Sequence, residues 1–222
     1  MATQADLFAD ARKNMVDSQI RPNRVSDPRI LAAMRRIPRE RFLPPAVLSL
    51  AYADEDVPLG NGRYLMEPMV LAKLLQAAML REHERVLVVG AGTGYSAAVL
   101  VACGCRVVAL EEDPALLAIA EAVLPAEAPG VTLVSGPLGA GWQSHAPYDM
   151  ILIEGAVPEV PPALGAQLHQ ETGRLLTAIC RDGQATRAIQ AEANGGSLGI
   201  SAIFDCGTPP IPSLRRAPVF EF

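Results

Sequence analysis

Hydrophobic and polar positions change their period partway along the chain. In the first part, Leu7, Phe8, Ala11 and Met15 recur at helical spacing, which predicts a helix with one apolar face. Asp27-Pro28 supplies an N-cap and a first-turn proline for a second helix carrying Ile30, Leu31 and Met34. Prolines 38, 44, 45 and 58 and glycines 60 and 62 then make the text irregular, until Pro68 restarts a helix through Leu80. Beyond that point short, largely apolar runs take over: Arg85–Val89, Arg106–Leu110, Val131–Val134, Asp149–Ile153 and Gly173–Ile179. Helical stretches begin at Ser96 and Pro114 between them. Strands apolar throughout and separated by helices predict a doubly wound, mostly parallel α/β sheet covered on both faces. Residues 185–193 and 197–205 alternate and read as a terminal antiparallel pair turning at Asn194-Gly195-Gly196. The tail from Thr208 to Phe222 holds four prolines and reads as a loop crossing the surface. We divide the chain into a helical extension and lid, residues 1–80, and a Rossmann-like domain, residues 81–222.

Composition narrows the classes. The 222 residues are 50% hydrophobic and 19% charged, too apolar for a disordered chain. A net charge of −5 with only 5% aromatics argues against a nucleic-acid partner. No apolar run reaches the ~18 residues of a membrane helix, and the first twenty residues show no secretory h-region. A cytoplasmic protein that does not enter the membrane is expected. Residues 1–41 carry nine Arg and Lys against five acids, while the remainder carries ten against nineteen. The basic charges are interspersed, which suits a solvated face docked on an acidic body. Cys103, Cys105, Cys180 and Cys206 match no metal or redox spacing, and no clustered histidine joins them, so no metal site is expected.

Candidate chemistry begins at Gly90-Ala91-Gly92-Thr93-Gly94, directly after the first sheet strand. In an open parallel sheet, ligands bind outside the carboxyl ends of the strands at this place. A dinucleotide fingerprint would require Gly or Ala at position 95, which is Tyr. The observed spacing fits a loop wrapping the amino-acid and ribose parts of S-adenosylmethionine. Glu111 ends the next strand, where its carboxylate is placed to accept hydrogen bonds from both ribose hydroxyls.

An ordered series of segments then carries a resemblance. Met15-Val-Asp-Ser-Gln-Ile20, Asp27-Pro-Arg-Ile-Leu-Ala-Ala-Met34, Ile37-Pro-Arg-Glu-Arg-Phe42, Ala51-Tyr-Ala-Asp54, Val86–Tyr95 and Pro147-Tyr-Asp-Met-Ile-Leu152 occur in family order. Over about residues 12–180 the sequence resembles the protein-L-isoaspartate O-methyltransferases. The resemblance implies a seven-stranded methyltransferase fold and S-adenosylmethionine as methyl donor. It implies as substrate a protein or peptide carrying isoaspartate, whose stray carboxylate is methylated by a monomer or homodimer. Donor-side positions fall on Gly90, Gly92, Gly94, Glu111, Glu112, Pro137 and Leu138. Acceptor-side positions fall on Arg63, Tyr64, Met66 and Glu154.

The chain departs from the family at several of these positions. Where the family follows Gly-x-Gly with Gln-Thr-Ile-Ser-Gln-Pro, this sequence reads Arg63-Tyr-Leu-Met-Glu-Pro68. Tyr64 and Met66 therefore replace two hydroxyls. Val88 stands where an acid usually precedes the glycine loop, Pro137 where an Asp faces the adenine, and Glu154 where a small or hydroxyl residue is usual. Arg63 is expected to pair an incoming carboxylate and offset Glu67. The acids at 67 and 154 leave open a different methyl acceptor, or a member that binds donor or partner without repair activity.

Overall fold

A computed structural model describes residues 3–181 and 183–215. Thr3 caps the first helix, α1 (Gln4–Asn14), in a reciprocal box with Asp6. The chain runs on into a π-helical turn, Met15–Ile20, which buries Met15, Val16 and Ile20. Asp27 caps α2 (Pro28–Arg36) by accepting from the Arg29 amide at 2.9 Å, as the Asp-Pro pair predicts. Residues 57–65, inside the stretch that reads as irregular, fold into a small antiparallel hairpin of β1 (Val57–Gly60) and β2 (Arg63–Leu65). These strands are too short to imprint a period on the sequence. Helix α3 follows at Pro68–Ala77.

The described residues form a seven-stranded main sheet in the order β5-β4-β3-β6-β7-β8-β9. Its strands are β3 (Arg85–Val89), β4 (Arg106–Glu111), β5 (Val131–Ser135), β6 (Met150–Val157), β7 (Arg174–Ile179), β8 (Arg187–Asn194) and β9 (Ser197–Asp205). The pairings from β5 through β7 are parallel, and β8 pairs antiparallel with both neighbours. The doubly wound α/β fold is present with its terminal hairpin. Connections run outward from β3 in both directions, so the switch point opens between the carboxyl ends of β3 and β6.

Alternate strand positions face opposite layers. Val86, Val88, Val107, Ala109, Met150 and Leu152 pack in one cluster with α2, α3, α4 (Tyr95–Ala102) and α5 (Pro114–Glu127). Val88 is wholly buried there, a position that suits valine and would strand an acid. Leu87, Val89, Val108, Leu110, Ile151 and Ile153 pack on the other face, under Leu138, Tyr148, Leu164 and Ile211. That second layer is built from short turns and one four-residue helix, α6 (Pro162–Gly165). The first cluster takes in Met15 and Ile30 as well as Ala188, so residues before and after position 80 share one core.

The tail departs from its expected course. Instead of crossing the surface, residues 208–211 insert beside β6. Ala156 N–H donates to Pro209 O at 2.9 Å, and Ile211 N–H donates to Ala156 O at 2.9 Å. Thr208 and Ile211 are buried as a result. Burial of an isoleucine and backbone pairing outweigh the loop character that proline content suggests. Residues 216–222 of the expected tail lie outside the described part.

Candidate active site

Glu111 closes β4 with no exposed surface. Among the described residues, five N–H groups point at its carboxylate. Oε1 accepts from the amides of Glu112 at 2.8 Å and Asp113 at 2.9 Å, and from Arg63 Nη1 at 2.7 Å. Oε2 accepts from the Gly92 amide at 2.7 Å and Arg63 Nη2 at 2.9 Å. Arg63 Nη2 also reaches Gly90 O at 2.9 Å. A carboxylate offers about four lone-pair sites, so this one is saturated. The guanidinium comes from β2, 48 residues earlier in the chain.

The loop from β3 to α4 has positive φ at Gly90 (70°) and Gly92 (57°), a backbone that side-chain-bearing residues rarely adopt. A Cβ built on Gly90 would lie 3.0 Å from Arg63 Nη2 and 3.2 Å from Ile211 Cδ1. One on Gly92 would lie 3.4 Å from Leu59 Cδ1. The cradle is thus lined by glycines and filled by the hairpin and the inserted tail. Asn61 fastens the hairpin tip by donating to Asp113 Oδ2 at 2.9 Å.

Gly94 serves another purpose: a Cβ there would meet Leu124 at 3.0 Å, so it lets α4 pack on α5. Pro137 precedes the turn Leu138–Ala140, and Leu138 places a methyl 3.5 Å from the Gly90 Cβ position. Glu112 gives its amide to Glu111, and its own Oε2 lies 3.5 Å from the Leu138 amide.

Arg63, Tyr64, Met66 and Glu154, expected on the acceptor side, do come together. They line one cavity of about 10 Å³ with Asp56, Thr208 and Ile211. That is room for about one water molecule. Tyr64 alternates with the buried Arg63 and Leu65 and is 37% exposed. Arg63 faces Glu111, not Glu67. Glu67 instead lies near Asp54 and Asp56, and burial together with those two acids pushes its carboxyl up to about 7. Burial likewise raises Asp56.

Glu154 sits within β6, in the irregular stretch between Leu152 and Ala156, and is buried. Oε2 accepts from Ser96 Oγ, while Oε1 has no partner among the described residues. Desolvation pushes the carboxyl up to about 7, against the Ser96 hydrogen bond and the charges of Arg39 and Arg63. Arg39, in the Ile37–Phe42 segment, is a residue whose place beside the site its own sequence context does not reveal. It is fully buried, donates to Ala51 O at 2.9 Å and Met66 O at 2.8 Å, and lies 4.9 Å from the Tyr95 ring centre. It therefore fixes the backbone at Met66, and burial lowers its own pKa. Asp56, Thr208 and Ile211 were not legible as site residues. The only hints were an acid-rich Asp54-Glu-Asp56 and a proline-rich tail.

Comparison with known proteins identifies the family. The family model described as Protein-L-isoaspartate(D-aspartate) O-methyltransferase (PCMT) matches residues 10–204. Protein-L-isoaspartate O-methyltransferase 1 of Rhodopseudomonas palustris (strain HaA2) is 39% identical over 191 residues, 86% of this chain and 78% of that one. The Methylorubrum extorquens (strain PA1) protein-L-isoaspartate O-methyltransferase is 42% identical over 178 residues, 80% of this chain and 78% of its own. A solved protein-L-isoaspartate O-methyltransferase superposes with a TM-score of 0.80 at 26% identity, covering 92% of this chain and 67% of that one. A Plasmodium falciparum protein described as such an enzyme, in complex with S-adenosyl-L-homocysteine, shares the fold with a TM-score of 0.78 at 17% identity, covering 91% and 98%. By sequence along most of its length, the chain belongs to the protein-L-isoaspartate O-methyltransferase family.

Proposed function

We propose that the protein transfers a methyl group from S-adenosylmethionine to the free carboxylate of isoaspartyl residues in damaged proteins. The observation that carries this reading is the placing of the acceptor set beside the glycine cradle at the β3/β6 switch point, in a chain of this family. The cradle's chemistry fits the donor: a Cβ-free loop admits the methionyl part, and a carboxylate at the end of β4 suits a ribose diol. Gly90, Gly92 and Glu111 would hold it, with Glu112, Pro137 and Leu138 alongside. When bound, the donor supplies an electrophilic methyl on a cationic sulfur.

The residues of this chain then have defined tasks. An isoaspartyl carboxylate is already ionised near neutral pH, so no base is needed and alignment carries the reaction. Arg39 holds Met66 and with it the lid in place. While protonated, Glu154 can donate a hydrogen bond to the incoming carboxylate through Oε1. Once ionised it would repel the same group. The hairpin and the inserted tail exclude water. We place the reaction in the cytoplasm, in a monomer or homodimer. The free cysteines, including buried Cys103 and Cys105, agree with a reducing compartment.

Labelled S-adenosylmethionine and a peptide pair differing only in aspartyl or isoaspartyl linkage test the proposal. Base-labile label on the isoaspartyl peptide alone is expected; label on neither rejects it. Asp56 and Glu154 on one small cavity favour a second reading, a neutral or cationic acceptor. Base-stable label on amine or hydroxyl acceptors would select that reading.

A further inference from the structure

Arg63 belongs to two sites at once. Its guanidinium takes both oxygens of Glu111, and the same side chain lines the acceptor cavity with Glu154 and Tyr64. A ribose diol needs two acceptor positions on Glu111. Arg63 uses two, and the three backbone amides of Gly92, Glu112 and Asp113 use the others. Donor and guanidinium therefore compete for one carboxylate. An acceptor carboxylate entering the cavity offers Arg63 a replacement anion of the same bidentate geometry.

Resting on the methyl-transfer reading above, we propose that Arg63 is a positioning residue that couples the two substrates. It holds Glu111 while the acceptor is absent and turns to the acceptor carboxylate when that arrives. Glu111 is then released to the donor. Hairpin β1–β2, which carries Arg63 and Asn61, moves with the exchange. Ile211, packed over Gly90, yields with it. No covalent bond changes in this step; one ion pair replaces another. The linkage is reciprocal, so each substrate tightens the other's binding by the same factor. Such coupling would disfavour a donor-loaded enzyme without its substrate.

Calorimetry with S-adenosylhomocysteine, with and without saturating isoaspartyl peptide, tests the coupling. For the native chain, the peptide should tighten S-adenosylhomocysteine binding at least about tenfold, a change of about 1.4 kcal/mol. The aspartyl peptide should not. Arg63→Met should bind S-adenosylhomocysteine at least about tenfold more tightly than the native chain without peptide, and should be indifferent to peptide. Ile211→Ala should tighten binding by a smaller factor and keep its response to peptide. If Arg63→Met fails to fold, hydrogen exchange in the native chain replaces it: S-adenosylhomocysteine with peptide should speed exchange at the amides of residues 57–65. Equal affinity in all conditions, or slower exchange in the hairpin, overturns the coupling and leaves the donor reading standing. Absence of heat in every variant, with and without peptide, overturns the donor reading and the coupling with it.

Discussion

Glu111, which ends β4, and Glu154, within β6, invite comparison, because the same side chain lies buried on two strands of one sheet in very different company. Both are buried, at 0% and 4% exposure. Glu111 receives five N–H groups, two of them from a guanidinium. Glu154 receives one hydroxyl, and its second oxygen is orphaned among the described residues. Burial raises Glu154 to about 7. The difference teaches that burial alone does not decide what a carboxylate can do; the donors around it do. Glu111 is a fully partnered side chain that a ligand must prise free. Glu154 is a titratable group with an open valence beside a cavity.

The comparison breaks most visibly at Glu111. Glu111→Ala should destabilise the fold by about 3–5 kcal/mol, because it leaves the Arg63 guanidinium buried without its partner. Urea unfolding measures this, and a loss under ~1 kcal/mol would mean that Arg63 finds water instead. Next in size is the pH dependence of Glu154. Its pKa is raised on folding, so the native state binds the extra proton. Stability from this group is therefore greatest below about 4.5 and declines as pH rises towards about 7. The decline should total at most about 3 kcal/mol. Glu154→Gln should flatten most of that slope, leaving the part due to Glu67 and Asp56, which have the same sign. Thermal melts from pH 5 to 8 read the difference; parallel slopes in both proteins would show that Glu154 does not titrate in this range.

Activity sharpens the contrast by a smaller factor. Methyl transfer to an isoaspartyl peptide should fall severalfold between pH 6 and 8 in the native chain and stay level in Glu154→Gln, which cannot acquire the charge. A matching decline in the variant would remove Glu154 from the acceptor side. The smallest effect is expected at Thr208, whose buried hydroxyl lacks a partner among the described residues beside the same cavity. Thr208→Val should be neutral or stabilising by up to about 1 kcal/mol. A loss above that would reveal a hydrogen bond through water.

Much of the fold was legible because its signals are local. Apolar runs of five or six residues announced β3 and β4, Asp27-Pro28 announced α2, and Asn194-Gly195-Gly196 announced the final hairpin. The glycine loop and Glu111 were visible for the same reason, one βα unit apart. What the sequence hid is long-range. Nothing near Arg63 says that its partner lies 48 residues on. The charge count pointed instead to nearby Glu67. Ile211 sits in a proline-rich stretch whose composition reads as loop, and only the free backbone at Ala156 turns it inward. Strands of four and three residues in the lid are below any readable period.

The shared core has a consequence for how the chain is made. Met15, Val16 and Ile20 belong to the same apolar cluster as Ala188, near the other end of the sequence. During synthesis at ~5–20 residues per second, those side chains wait on the order of ten seconds or more for the last members of their cluster. Until then the apolar side chains of the nascent amino-terminal segment lack the core that buries them in the finished fold.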